Sequence, residues 1–189
     1  PDDADALALA VVELLRDGKL DVVIGRLPEM FGSVASDCRF QPIGEEIIAV
    51  VASDSHPLLA NQAAPSFSDL LAFPWILQPR GSPSREVIEQ EAQSHHQPLP
   101  KGLIETTSIL IATSLIARSD MLAAIPLSIA QLYEAHGLLR IVPFAFTHTL
   151  TPWGSLVHRD RSISPITARF LELLQSPGSQ ECAAQSSVD

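Results

Sequence analysis

The sequence predicts an α/β protein built on a parallel or mixed sheet, and three observations carry that prediction. Short, continuous apolar runs rich in β-branched residues, Leu20–Ile24 and Ile47–Ala52 among them, read as strands covered on both faces. Segments with helical apolar spacing alternate with those runs along the body of the chain. Glycine and proline stand where such helices should stop or start, as at Gly18, Pro83 and Gly137.

Taken in order, Asp2, Asp3 or Asp5 caps a first helix, and their charge suits its N-terminal dipole. Leu14 and Leu15 belong to its apolar face, and Gly18 follows where a positive φ is wanted. The strand Leu20–Ile24 then delivers Gly25 and Arg26 to a cleft, since ligands of open α/β sheets bind at carboxyl ends. Residues 28–38 read as a loop. Arg39–Ala52 reads as extended, interrupted at Gly44-Glu45-Glu46. Ser53–Pro65 is turn-rich around His56-Pro57. Ser66 and Asp69 have capping-box spacing for a short helix that ends before Pro74.

Trp75–Leu77 is a strand, and Pro79–Ser84 is a polar, rigid loop. Ser82 is an N-cap with Pro83 at N1 of a helix that runs to about His95. Gly102–Glu105 is a strand, and Thr106, Thr107 and Ser108 cap a helix that continues through Ala117. Asp120–Ile125 is a strand stopped by Pro126. The next helix runs to His136 and stops at Gly137. Leu138–Phe146 is a strand region broken by Pro143, and Trp153–His158 is a further strand. Ser164-Pro165 opens a last helix ending near Leu174. Residues 177–189 have loop composition and are expected to form a mobile, disordered tail.

Composition bounds the function. With 46% hydrophobic and 18% charged residues the body is a folded one, and 189 residues suffice for one domain or two small lobes. A net charge of −10 argues against nucleic-acid binding by this piece, which would need basic surface against phosphates. Cys38 and Cys182 are too few and too far apart for a disulfide framework or a zinc site, which fits a reducing cytoplasm. No run of ~18 apolar residues marks a membrane span. The chain opens Pro1-Asp2-Asp3 without Met or a basic leader, and it reads as a piece of a longer protein.

Candidate site residues come from strand–helix junctions. Ser82 and the Thr106–Ser108 hydroxyls stand at helix starts, where free N–H groups and a positive dipole end suit an anion; capping alone accounts for them equally well. Arg26 could grip a carboxylate bidentately or form a surface ion pair. Arg85, in the first turn of a helix, opposes the dipole, so it meets an anion or acidic partner, or else points to solvent. His95 and His96 are adjacent on a helix and make a poor chelate. Glu45 and Glu46 point to opposite faces, which is wrong for an acid/base pair. No nucleophile elbow, P-loop, metal-binding helix or dinucleotide fingerprint is present, so neither an enzyme, a cofactor nor a metal is called for.

The chain resembles the effector-binding domain of LysR-type transcriptional regulators. The likeness runs through LLRDGKLDVVIGRL (14–27), PIGEEIIAVVASDSHPLL (42–59), FSDLLAFPWILQPRGSPSR (67–85), IETTSI (104–109), DMLAAIPLSIAQLYEAHGLL (120–139) and PWGSLVHRDRSISPITARFLELL (152–174). It is nearest the branch related to regulators of sugar and aromatic-acid catabolism. The resemblance implies a two-lobed fold of the periplasmic-binding-protein type 2, with crossover strands near Ile47–Ala52 and Trp153–His158. Residues 1–50 and 153–176 would form lobe I and 51–152 lobe II. A cleft lined by Arg26, Ser82, Pro83, Arg85, Thr106, Thr107, Pro126 and Ser128 would hold a small, anionic effector such as an aromatic or sugar acid. It further implies a homo-oligomer, self-associating through helix 83–96 and the lobe I surface, that touches DNA only through an N-terminal domain this chain lacks. The chain also lacks the family's opening strand–helix–strand, which would leave lobe I incomplete, with an uncovered sheet edge and exposed apolar helix faces. Arg118–Met121 stands where the family has a glycine-rich turn. A transport solute-binding protein and a small α/β enzyme such as a dehydratase are the competing readings.

Overall fold

The computed structural model describes residues 3–26, 36–60, 63–100 and 102–175, with side chains from residue 9 onward. The helices are α1 (Asp3–Arg16), α2 (Phe67–Leu71), α3 (Pro83–Ser94), α4 (Ile109–Ile116), α5 (Leu127–Ala135) and α6 (Pro165–Gln175). The strands are β1 (Val23–Arg26), β2 (Cys38–Gly44), β3 (Ile48–Ala52), β4 (Trp75–Leu77), β5 (Ile104–Glu105), β6 (Leu122–Pro126), β7 (Arg140–Ile141) and β8 (Trp153–His158). The chain divides into two units, one of Pro1–Glu45 with Thr151–Asp189 and one of Glu46–Leu150. The expected cap at Asp2, most of the 28–38 loop and the 177–189 tail lie outside the described residues.

The first unit holds a three-stranded antiparallel sheet in the order β1-β8-β2. Val12 and Leu15 of α1 are buried against it with Cys38 and Leu156. The end of α1 follows from its glycine. Gly18 has φ +69°, and the Lys19 N–H turns back to donate to the Leu14 carbonyl at 2.9 Å. The Arg161 guanidinium donates to the Arg16 carbonyl at 2.8 Å, which further satisfies that end. The strand expected over Leu20–Ile24 is displaced to Val23–Arg26, and it is not covered on both faces: Ile24 is 40% exposed. Its β-branched run marks extended backbone, and its place at the sheet edge leaves it half open. On α6, Ile166, Phe170 and Leu173 are exposed at helical spacing.

The second unit holds a five-stranded mixed sheet in the order β5-β4-β6-β3-β7. β4 is parallel to β5 and β6, while β3 is antiparallel to β6 and β7. The period-2 alternation of side chains sorts its core into two layers. Val50, Leu77, Leu122 and Ala124 pack on one face with α2 and α3, through Phe67, Leu70, Val87 and Ile88. Ala49, Val51, Ile76, Ala123 and Ile125 pack on the other with Ala112 and Ile116 of α4 and Ala130 of α5. Trp75 is fully buried, and its indole N–H donates to the Leu70 carbonyl at 3.0 Å. Of the 138–146 region only Arg140–Ile141 pairs as a strand; Phe144 and Phe146 turn inward and meet edge to face. The two strands expected to cross between lobes each pair within one sheet, β3 in the second unit and β8 in the first.

Candidate functional site

Because β4, β5 and β6 are parallel, their carboxyl ends share one edge of the second unit's sheet. Two strand–helix junctions meet there. β5 runs through Thr106–Ser108 into α4, and β6 runs through Pro126 directly into α5. A cavity of about 330 Å³ lies between them. Its floor is the sheet, through Ile76, Ala123 and Ile125. Ile109 and Ala112 of α4 form one wall, and Ile129, Leu132 and Tyr133 of α5 form the other. Polar side chains come from Gln78, Thr106, Thr107 and Ser108.

Short-range hydrogen bonds fix the α4 junction. The Thr106 N–H donates to the Leu77 carbonyl at 3.0 Å, carrying the β4–β5 ladder one residue beyond the strand. The Thr106 hydroxyl accepts from the Ser108 N–H at 3.1 Å. Ser108 is the N-cap, and its hydroxyl accepts from the Ile111 N–H at 3.4 Å. The first turn of α4 therefore opens on the cavity, and the positive end of its dipole acts there. None of the lining side chains carries a charge. Such an arrangement can bind and orient a small molecule, but it offers no acid/base pair.

Of the residues singled out in the sequence, Thr106, Thr107 and Pro126 line this cavity; Ser82, Pro83, Arg85 and Ser128 do not. Ser82 has the backbone of an N-cap, but its hydroxyl donates to the Pro79 carbonyl at 2.8 Å and caps nothing. Pro83 takes its expected N1 place at the exposed start of α3. Arg85 does not point to solvent. It is 1% exposed, with Nε on Glu89 at 2.8 Å and a terminal nitrogen 3.4 Å from Glu105. Those carboxylates, one a helical turn away and one on β5, account for a cation in a helix's first turn. Ser128 lies in the first turn of α5, outside the lining. Arg26 ends β1 in the first unit, where its guanidinium donates to the Thr151 carbonyl.

The α5 wall went unread in the sequence. Ile129, Leu132 and Tyr133 have i, i+3, i+4 spacing, which marks an apolar face without saying what it borders. Gln78 gave one signal, being the first polar residue after a buried strand. His56 is a buried structural residue: its Nδ1 accepts from the Leu58 N–H at 3.2 Å, which leaves the proton on Nε2, 3.3 Å from the Asp120 carbonyl.

Residues 7–177 match the family model described as the LysR substrate binding domain. The HTH-type transcriptional regulator GbpR of Azospirillum brasilense is 33% identical over 166 residues, which are 88% of this chain and 48% of that protein. The HTH-type transcriptional regulator GalR of Pseudomonas putida is 30% identical over 164 residues, 85% of this chain and 40% of that protein. The chain thus spans less than half the length of these relatives. Among solved structures, the Synechocystis PCC6803 CcmR regulatory domain in complex with 2-PG matches with a TM-score of 0.68 at 20% identity, covering 88% of this chain and 77% of that chain. The effector binding domain of QuiR in complex with shikimate matches with a TM-score of 0.65 at 17% identity, covering 91% and 78%. These likenesses establish the fold, an α/β architecture with mixed sheets of the periplasmic-binding-protein type 2. The chain belongs to the LysR substrate-binding-domain family.

Proposed function

We propose that this chain is the effector-sensing domain of a LysR-type transcriptional regulator. It binds a small, anionic molecule and controls DNA-bound domains that lie outside the chain. The observation that carries this reading is the cavity at the carboxyl ends of β4, β5 and β6, with a helix N-terminus opening on it. Family membership supplies the regulatory context, since the relatives that match are HTH-type transcriptional regulators. Two proteins of the same fold hold small molecules, shikimate and 2-PG.

Thr106 and Thr107 hydroxyls and the α4 dipole favour a negative group at the cavity's mouth. The lining supplies hydroxyls, an amide and apolar surface, which suits the binding of a small molecule. Ligand binding acts by shifting the balance between conformations of the domain, which the parent protein transmits to its DNA-binding part. The setting of that function is the cytoplasm, and the parent protein self-associates. The outward face of α3 is polar, with Glu86, Gln90 and Gln93 exposed, so it offers no apolar seam for that association.

Titration calorimetry of the chain against small carboxylates tests the site. Thr106→Val removes a neutral hydroxyl contact of about 1 kcal/mol and should weaken binding roughly fivefold. Unchanged affinity, with no amide shifts over residues 106–109, would place the ligand elsewhere.

A further inference from the structure

We infer that the cavity takes a monocarboxylate on an apolar, ring-sized body, and discriminates against polyhydroxylated sugar acids and phosphate esters. The inference rests on the reading of this cavity as the effector site and names the ligand's class.

Charge comes first. The lining carries no charged side chain, and the positive end of α4 amounts to about half an elementary charge. That suits one negative charge. A phosphate ester brings close to two, and the second would lose its water without a cation to meet it.

The distribution of polar groups comes second. Gln78, Thr106, Thr107 and Ser108 all stand at the carboxyl ends of β4 and β5, so hydrogen-bonding capacity sits at one end of the cavity. Ser108 and Thr106 accept from the Ile111 and Ser108 N–H groups, which leaves their hydroxyl protons to donate. The Gln78 amide and Thr107 hydroxyl make no hydrogen bond among the described residues and remain for a ligand's polar head. The remaining walls are Ile109, Ala112, Ile129 and Leu132 over a floor of Ile76 and Ala123. A sugar acid would lay a hydroxyl on nearly every carbon against these walls, each losing water and gaining nothing.

Shape comes third. Ala112 and Ala123 are almost fully buried yet border the cavity, so their small side chains create its depth. Its volume of about 330 Å³ is at the lower end of ligand pockets, room for one substituted ring. Leu132 and Ile129 remain 54% and 36% exposed, so an apolar ligand would take their surface out of water. The Tyr133 ring joins the same wall, and its phenol has no hydrogen bond among the described residues. It can accept an edge-to-face ring and meet one polar ring substituent.

The test titrates the whole chain with benzoate and cyclohexanecarboxylate, and in parallel with gluconate and inorganic phosphate, following backbone amide shifts by NMR. Both ring acids should shift Thr106–Ile109 and the α5 residues Ile129–Tyr133, with at least tenfold higher affinity than gluconate or phosphate. Ala112→Leu fills the cavity and should abolish those shifts. Should that variant fail to fold, Leu132→Gln, on an exposed position, should weaken both ring acids several-fold. Gluconate or phosphate binding tighter at these same amides would overturn the ligand class and leave the site standing. Ring acids that bind with shifts confined to other residues, insensitive to both variants, would overturn the site as well. No binding by either ring acid at 20 mM would overturn the class.

Discussion

Glu91 shows how much one residue can hold. It is 1% exposed on α3 and accepts from the Thr147 N–H at 3.0 Å, the Thr147 hydroxyl at 3.1 Å and the His148 ring at 2.9 Å. Burial pushes its pKa up, but the hydrogen bonds from His148 and Thr147 outweigh burial and hold it below the ordinary carboxylate value. Glu91→Ala should destabilise the chain by roughly 1–3 kcal/mol, read by urea unfolding, because the Thr147 and His148 donors lose one shared, charged acceptor together. A loss under 1 kcal/mol would mean that water replaces the carboxylate. In the other unit, the Arg16 guanidinium forks onto Asp37 at 2.6 and 3.0 Å and lowers its pKa from 3.8 to about 2. A depressed pKa stabilises the fold in full above the ordinary value and loses that contribution as pH falls through the folded one. The chain should therefore lose stability between about pH 4 and pH 2, less steeply in Asp37→Asn. Identical acid profiles for the two proteins would refute the assignment.

Among elements, the β5–α4 junction decides the site. β5 is two residues long, and its ladder with β4 continues only through the Thr106 N–H. Ser108 then starts a helix whose apolar composition has no acidic residue in its first turn. Without a favourable charge there, the cap is the main polar support of that end. Ser108→Ala should cost about 1 kcal/mol in thermal or urea unfolding and raise hydrogen exchange first at Ile111. Protection at Ile111 equal to that of the native chain would show that the 3.4 Å contact carries no weight. β8 gives the opposite case, an element fixed from both sides. A Cβ on Gly154 would run into the Gln41 carbonyl and the Phe40 ring, so the central strand of the first unit needs glycine at that position.

For the whole molecule, charge is the governing quantity. At −10 net, this chain should show no retardation of duplex DNA in gel-shift titration at physiological salt, with or without ligand. Binding that weakens steeply with salt would contradict the division of labour proposed above. No helix among the described residues is long and apolar enough to cross a membrane. Among the described residues the first unit's core is built around Val12, Leu15, Cys38 and Leu156, and the second unit's core flanks its sheet in two layers. Burying a side chain the size of Val12 or Leu15 contributes about 1.5–3 kcal/mol to the first unit's core. Among the described residues β1 stands at an edge of its sheet, and Ile166 and Phe170 of α6 are exposed.

The sequence by itself determined what depends on near neighbours. The capping box at Ser66 and Asp69 forms with both of its hydrogen bonds, Gly18 and Gly137 take positive φ at helix ends, and Pro83 stands at N1. Each is a contact within a turn, where spacing along the chain is spacing in space. The alternation of Ile76 and Leu77, or Ala123 and Ala124, between the two faces of the sheet was equally legible, because a strand's period is local. Thr106, Thr107 and Pro126 are legible for the same reason, as residues at or just past the ends of strands. Tertiary structure alone decided the rest. Arg85 reads as meeting an anion, an acidic partner or solvent, and only the fold brings Glu105 of β5 to it beside Glu89. Nothing near Glu91 in the chain marks its burial, which depends on Thr147, 56 residues on. The cavity itself exists because the α5 wall stands opposite α4 across β6, and a helical period fixes which face is apolar but not what lies against it.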